Sequence, residues 1–147
     1  MKTIGLAGGT GWISTVEYYR IINEEMNRRR GGLNFARCIL YSVDYGDINE
    51  CNRRNDREGV FRLMLDASER IVACGAECLV LCANTLHQFA DDFEKRLDVP
   101  LINIATETAR EIKKQGLEKI GLLGTRQTME MDFYSKKLEG YGIKVFV

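Results

Sequence analysis

The chain is 147 residues long and 45% apolar, enough to bury one sizeable core and, by length alone, one domain. Its 21 basic residues match 21 acidic ones, which removes any global electrostatic reason to expect nucleic acid or an anionic membrane as a partner. No apolar run reaches the roughly eighteen residues of a membrane span, the N-terminus lacks the layout of a signal peptide, and five cysteines are an odd set for a disulfide framework. The sequence therefore predicts a soluble cytoplasmic protein with reduced thiols.

In chain order, Ile4 to Ala7 reads as a short strand running into Gly8-Gly9-Thr10-Gly11. Ser14-Thr15-Val16-Glu17 has the pattern of a capping box, opening a helix with Val16, Tyr19, Ile22 and Met26 on one stripe and a stop at Gly31-Gly32. Ala36 to Val43 is the second strand, followed by a polar stretch from Asp44 to Asp56. Val60, Leu63, Ala67, Ile71 and Cys74 then predict the inward face of a helix ended by Gly75. Cys78 to Cys82 is continuously apolar, as a parallel strand buried on both faces should be. Thr85 is the predicted cap of a helix carrying Phe89, Phe93 and Leu97; Pro100 to Ile104 reads as a strand and Thr106 to Gln115 as a helix.

Strands alternating with helices at this spacing predict right-handed βαβ units and a parallel sheet, whose ligand site lies outside the carboxyl ends of the strands. Gly8 to Gly11, the loop after Val43, and Cys82 to Thr85 all fall on that edge. The strand motif Ile4-Gly5-Leu6-Ala7-Gly8 returns as Ile120-Gly121-Leu122-Leu123-Gly124, offset by 116 residues. The predicted organisation is an α/β, flavodoxin-like first lobe over 1–117, with four strands and helices on both faces. An incomplete second βαβ lobe follows over 118–147, with a helix from Met129 to Gly140 and an open-edged strand from Ile143 to Val147.

The glycine loop fits neither common phosphate motif. No Lys-Ser/Thr pair follows its glycines as a Walker A loop requires, and Ser14 stands where the dinucleotide pattern needs a third glycine. A plain tight turn and a cradle for an anion such as a carboxylate both remain open. Cys74, Cys78 and Cys82 fall on a helix end and a strand, so their spacing of four does not make a metal site. At the end of a strand and the start of a helix, Cys82 would gain thiolate character, with Asn84 and Thr85 beside it to hold a carboxylate. His87, the only histidine, is either an outlying partner of that thiol or a packing residue. The arginines at 28–30 read as a solvated helix end; those at 53, 54 and 57 read mainly as a solvated face, the alternative being that they attract an acidic substrate to the loop.

The segments "IGLAGGTGWISTVEYY", "LYSVDY", "LVLCANTLH", "PLINIA" and "IGLLGTRQTMEMDFY" together resemble the PLP-independent aspartate/glutamate racemase superfamily, aspartate racemases above all. The resemblance implies two similar lobes, homodimers, no cofactor, and an aspartate or glutamate substrate held between lobes. It also implies two cysteines that take and return the α-proton on opposite faces. Residue by residue, it makes Cys82 the first-lobe catalytic cysteine and Asn84 and Thr85 contacts to the substrate's carboxylate and ammonium. Thr125, Thr128 and Met129 match the second-lobe segment that clasps the carboxylate. Gly9 and Thr10 match the first loop, where the family often has Met-Ser in place of Thr10-Gly11, and Asn52 matches a polar contact. The second cysteine would fall near position 198 by the repeat offset, beyond Val147, so the second lobe is expected to be truncated. Two rival functions follow from that expectation. One is a non-catalytic acidic-amino-acid-binding or oligomerising descendant, and the other a single-cysteine decarboxylase or isomerase.

Overall fold

A computed structural model describes residues 1–147 as two parallel sheets with helices around them. The first sheet contains β1 (Thr3–Gly8), β2 (Arg37–Ser42), β3 (Cys78–Leu81) and β4 (Leu101–Ile102), in the spatial order β2-β1-β3-β4. All three pairings are parallel, with Ala7 opposite both Tyr41 and Leu81. The order is doubly wound: the chain leaves β1 to one side for β2 and reaches β3 on the other, so the crevice between β1 and β3 is the topological switch point.

Helices cover both faces, and two glycines show which helix lies on which. A side chain at Gly5 would strike Ile71 of α3 (Arg57–Ala73), and one at Gly8 would strike Thr15 of α1 (Trp12–Arg30). Because strand residues three apart point to opposite faces, α3 and α1 flank opposite sides of β1. The α3 side holds the main core, with Leu79, Leu81, Met64 and Ile71 essentially inaccessible. Phe61 packs against Phe89 and Phe93 at centroid distances of 5.4 and 5.3 Å. The α1 side is thin. Thr15 is the only buried residue of that 19-residue helix, while Trp12, Ile13 and Val16 stay more than half exposed.

A second, two-stranded parallel sheet pairs β5 (Lys119–Gly121) with β6 (Lys144–Phe146) through α6 (Arg126–Glu130) and α7 (Asp132–Glu139). It has its own small core around Leu122, Tyr134, Leu138 and Ile143. The last strand of the first sheet ends at Ile102 and the second sheet begins at Lys119, and between them α5 (Ile104–Lys114) sends Ala105 and Ala109 into this second cluster.

Several local expectations are corrected. The polar stretch after Val43 contains a helix, α2 (Tyr45–Arg53), capped by Asp44, whose carboxylate accepts from the Gly46 amide at 2.7 Å. The capping box at Ser14 does not form: α1 begins three residues earlier, at Trp12 behind Gly11. The stripe through Val16 and Tyr19 is largely solvent-facing, and Cys74 is exposed. Thr85 caps nothing; a 3-10 helix (Asn84–Phe89) precedes α4 (Ala90–Arg96). Asn103, read as strand, instead caps α5.

Candidate active site

The carboxyl edge of the first sheet brings three loops together at the switch point. The Cys82 amide donates to Ala7 O at 2.9 Å, extending the β1–β3 ladder by one step and placing the cysteine beside the glycine loop. From the first turn of α1, Ser14 Oγ lies 2.9 Å from Cys82 O and 2.7 Å from Gly11 O. The thiol is fully buried, and burial, with no neighbouring cation to offset it, pushes its pKa up to about 12. The expected thiolate character is therefore corrected: burial favours the thiol. The helix that follows is a short 3-10 segment beginning two residues later, and desolvation of the charged form dominates.

The glycine loop is built for close backbone approach. Gly9 has φ +97°, and a Cβ there would lie 2.2 Å from Val43 O. Its amide donates to Thr15 Oγ1 at 3.1 Å, so that N–H is not offered to an anion. Thr10 Oγ1, by contrast, is buried without a partner. Asn84 is exposed and Thr85 half-buried at the start of the 3-10 helix.

From the second sheet, α6 packs against this 3-10 helix and brings the other predicted segment alongside. Thr125 caps α6: its Oγ1 accepts from the Thr128 amide at 3.4 Å and lies 3.1 Å from Thr128 Oγ1. Thr128 is buried and Met129 half-buried. Asn52, at the end of α2, lines a cavity of about 250 Å³ together with Gln127 and Met131, so it too meets the second segment.

His87 is not aimed at the thiol. It is 4% exposed, its Nδ1–H donates to Ala83 O at 3.1 Å, and its Nε2 has no partner. Burial lowers its pKa. The packing alternative holds: the ring fastens the backbone just after Cys82. The other cysteines lie elsewhere. Cys38 and Cys78 stand at the amino ends of β2 and β3, Cys51 is in α2, and Cys74 follows α3.

Two residues at the site escaped the sequence reading. Ser14, whose place in S-T-V-E predicts a cap, touches the Cys82 carbonyl instead, and Tyr18 lies one turn further along the same face of α1. The Tyr18 phenol is pushed up to about 12, first by burial and then by the neighbouring Cys82 and Tyr134. Their spacing of four was the available signal, since residues i and i+4 share a helix face.

A doubly wound sheet with a buried thiol and hydroxyl-bearing loops at its switch point defines an α/β chain with a small-ligand site at that crevice. The chain belongs to the Asp/Glu/hydantoin racemase family, whose model matches residues 8–147. It is 26% identical over 148 aligned residues to the broad specificity amino-acid racemase RacX of Bacillus subtilis, covering 97% of this chain and 63% of that one. A Yersinia pestis protein whose crystal structure is described as a candidate Asp/Glu racemase superposes with a TM-score of 0.94 at 46% identity, over 99% of this chain and 64% of that one. An aspartate racemase homologue from Pyrococcus horikoshii gives 0.88 at 35% identity, over 100% and 64%. The chain thus spans just under two thirds of the length of these relatives.

Proposed function

We propose that this chain provides one face of a cofactor-independent amino-acid racemase site of the aspartate/glutamate type, with Cys82 as the group that exchanges the α-proton. The observation that carries the reading is the Cys82 thiol at the switch point of a racemase-family fold, flanked by Asn84 and Thr85. On this reading Asn84, Thr85 and the unpartnered Thr10 hydroxyl hold the α-carboxylate and ammonium. Gly9 lets the loop approach, and Thr125, Thr128 and Met129 close the site from the second sheet, with Asn52 at its rim.

The substrate's ammonium, entering beside Cys82, brings a positive charge that offsets the cost of burial and favours the thiolate. The thiolate takes the α-proton and becomes a thiol, leaving a carbanion conjugated with the carboxylate. Return of the proton from the same side restores the starting isomer. Inversion needs a second proton donor on the opposite side, because an acid or base acts only within hydrogen-bond reach. Cys38 and Cys78 stand at the amino ends of their strands, Cys51 lies in α2 and Cys74 follows α3, so none of them is assigned the role of that second donor. The same reading has the protein working as a homodimer, with the exposed apolar residues of α1 as covered surface.

A second reading, a non-catalytic acidic-amino-acid binder, is favoured by the buried Cys82 thiol, whose pKa burial pushes up. Incubation of L-aspartate and L-glutamate in D2O with the protein separates the two. Loss of the α-proton signal by NMR, abolished in Cys82→Ala, supports the proton-transfer role. Equal exchange in both proteins removes Cys82 from the mechanism. Exchange without any D-isomer identifies a one-face chemistry.

A further inference from the structure

We propose that Arg57 receives the side-chain carboxylate of a dicarboxylic amino acid, making the cavity between α2 and α6 the subsite that selects acidic substrates. The inference rests on the reading of the Cys82 site as an amino-acid site and adds to it the origin of its selectivity.

The cavity, about 250 Å³, lies between the end of α2, the start of α3, the 3-10 helix and α6. Four amides, Asn52, Asn55, Gln88 and Gln127, line it together with the Arg57 guanidinium and Phe89, and no Asp or Glu does. A neighbouring larger cavity shows the contrasting case. It carries four carboxylates of its own, and its arginines are already committed, Arg54 to Glu50 and Arg62 to Asp56. Arg57 makes no ion pair and is held only by neutral groups. Its Nε donates to Gln88 Oε1 at 2.9 Å and one Nη to Gln88 O at 3.3 Å, while its plane lies over the Phe89 ring at 4.5 Å from the centroid.

These contacts fix the orientation of a cation without neutralising it, and its other Nη makes no hydrogen bond to the protein. A planar guanidinium in that state is matched by a carboxylate, which can take two parallel N–H donors. Neutral amides around it can bind the same anion without repelling it.

Gln88 also ties this cation to the Cys82 loop. Its Nε2 donates to Thr85 O at 3.0 Å, so the guanidinium is positioned through one side chain from the backbone of a proposed substrate anchor. Gln127 enters from the helix that carries Thr128. On the proposal, a substrate held by Asn84 and Thr85 extends its side chain past Gln88 into this positively charged, carboxylate-free cavity.

The test is calorimetric titration of the 147-residue protein with L-aspartate, L-glutamate and L-alanine, repeated with Arg57→Gln, Arg57→Lys and Cys82→Ala. A charge-assisted, two-pronged contact predicts dicarboxylates bound at least about tenfold more tightly than alanine. Arg57→Gln should erase that preference while leaving alanine binding unchanged, and Arg57→Lys, which keeps the charge without the fork, should retain part of it. Gln88→Ala gives an independent check by freeing the guanidinium, and should lower the preference with Arg57 intact. A preference unchanged in Arg57→Gln, or a wild-type protein that binds alanine as well as aspartate, overturns the assignment. The two proposals fail separately. An Arg57-dependent preference that persists in Cys82→Ala, in a protein showing no α-proton exchange, keeps the subsite and sinks the racemase reading. Equal exchange of alanine and aspartate protons does the reverse.

Discussion

Ser14 has one hydroxyl proton and two carbonyls within reach, Gly11 O at 2.7 Å and Cys82 O at 2.9 Å. The first belongs to its own helix start and the second to the proposed catalytic residue, so the hydroxyl ties the α1 terminus to the end of β3. A buried carbonyl that loses its donor costs about 1 kcal/mol or more. Ser14→Ala is expected to lower stability by about that amount. Ser14 is a positioning residue, so the variant should slow α-proton exchange several-fold while leaving the KM for aspartate near its original value. Melting curves and exchange kinetics on the same preparation check both. A KM that rises in proportion to the loss of rate would instead place Ser14 in substrate binding. The sequence pattern S-T-V-E pointed to this residue for another reason, as a cap. The side chain that reaches across 68 positions of sequence is invisible to a local motif. Cys82 itself was legible because a thiol at the end of an apolar strand is placed by topology. Its pKa was not, since that depends on how completely the neighbouring helix and loops exclude water.

Among the elements, those with strong apolar periodicity were readable, and those held by caps were misread by a few residues. β1, β2, β3 and α3 fall close to where the apolar runs predict them. α2 was missed because its residues are polar on most sides, with only Ile48 buried, and its start is fixed by the Asp44 side chain. α5 was placed two residues late because Asn103 was absorbed into an apolar strand pattern. In the structure Asn103 is buried, and its Oδ1 accepts from the amides of Ala105 at 3.0 Å and Thr106 at 3.3 Å. It satisfies two of the amides a helix start otherwise leaves unpaired. Asn103→Ala should therefore destabilise the protein by about 1–2 kcal/mol, measured by urea unfolding. Asn103→Asp, which keeps the acceptor, should lose much less. Equal losses would show that the amide nitrogen, not the cap, is what matters.

At the scale of the molecule, three ionisable groups lie near the switch point, the buried Cys82 and His87 and the half-buried Tyr18, and their shifts set how stability responds to pH. The Cys82 thiol and the Tyr18 phenol are both raised to about 12, by burial first. In the unfolded chain a thiol ionises near pH 8.5 and a phenol near 10, as about the usual values. Above those values the unfolded state has released protons that the folded state still holds, so stability is fully present below about pH 8.5 and declines as pH rises toward 12. Cys38 and Cys78 are raised in the same direction by partial burial and add to that decline. His87 acts at the other end. Its burial lowers its pKa, so below the usual imidazole value of about 6.5 the unfolded state binds a proton the folded state resists, and stability falls with pH. The expected profile is a plateau between about pH 7 and 8.5 with both limbs descending. Urea midpoints measured across pH should show a shallower alkaline limb in Cys82→Ala and shallower still in Cys82→Ala/Tyr18→Phe. His87→Gln, which keeps an amide donor for Ala83 O, should flatten the acid limb alone. An alkaline limb of unchanged slope in the double variant would mean that the thiol and phenol are solvated in solution. The proposed site would then stand open to substrate before any ligand arrives, with a lower barrier to forming the thiolate.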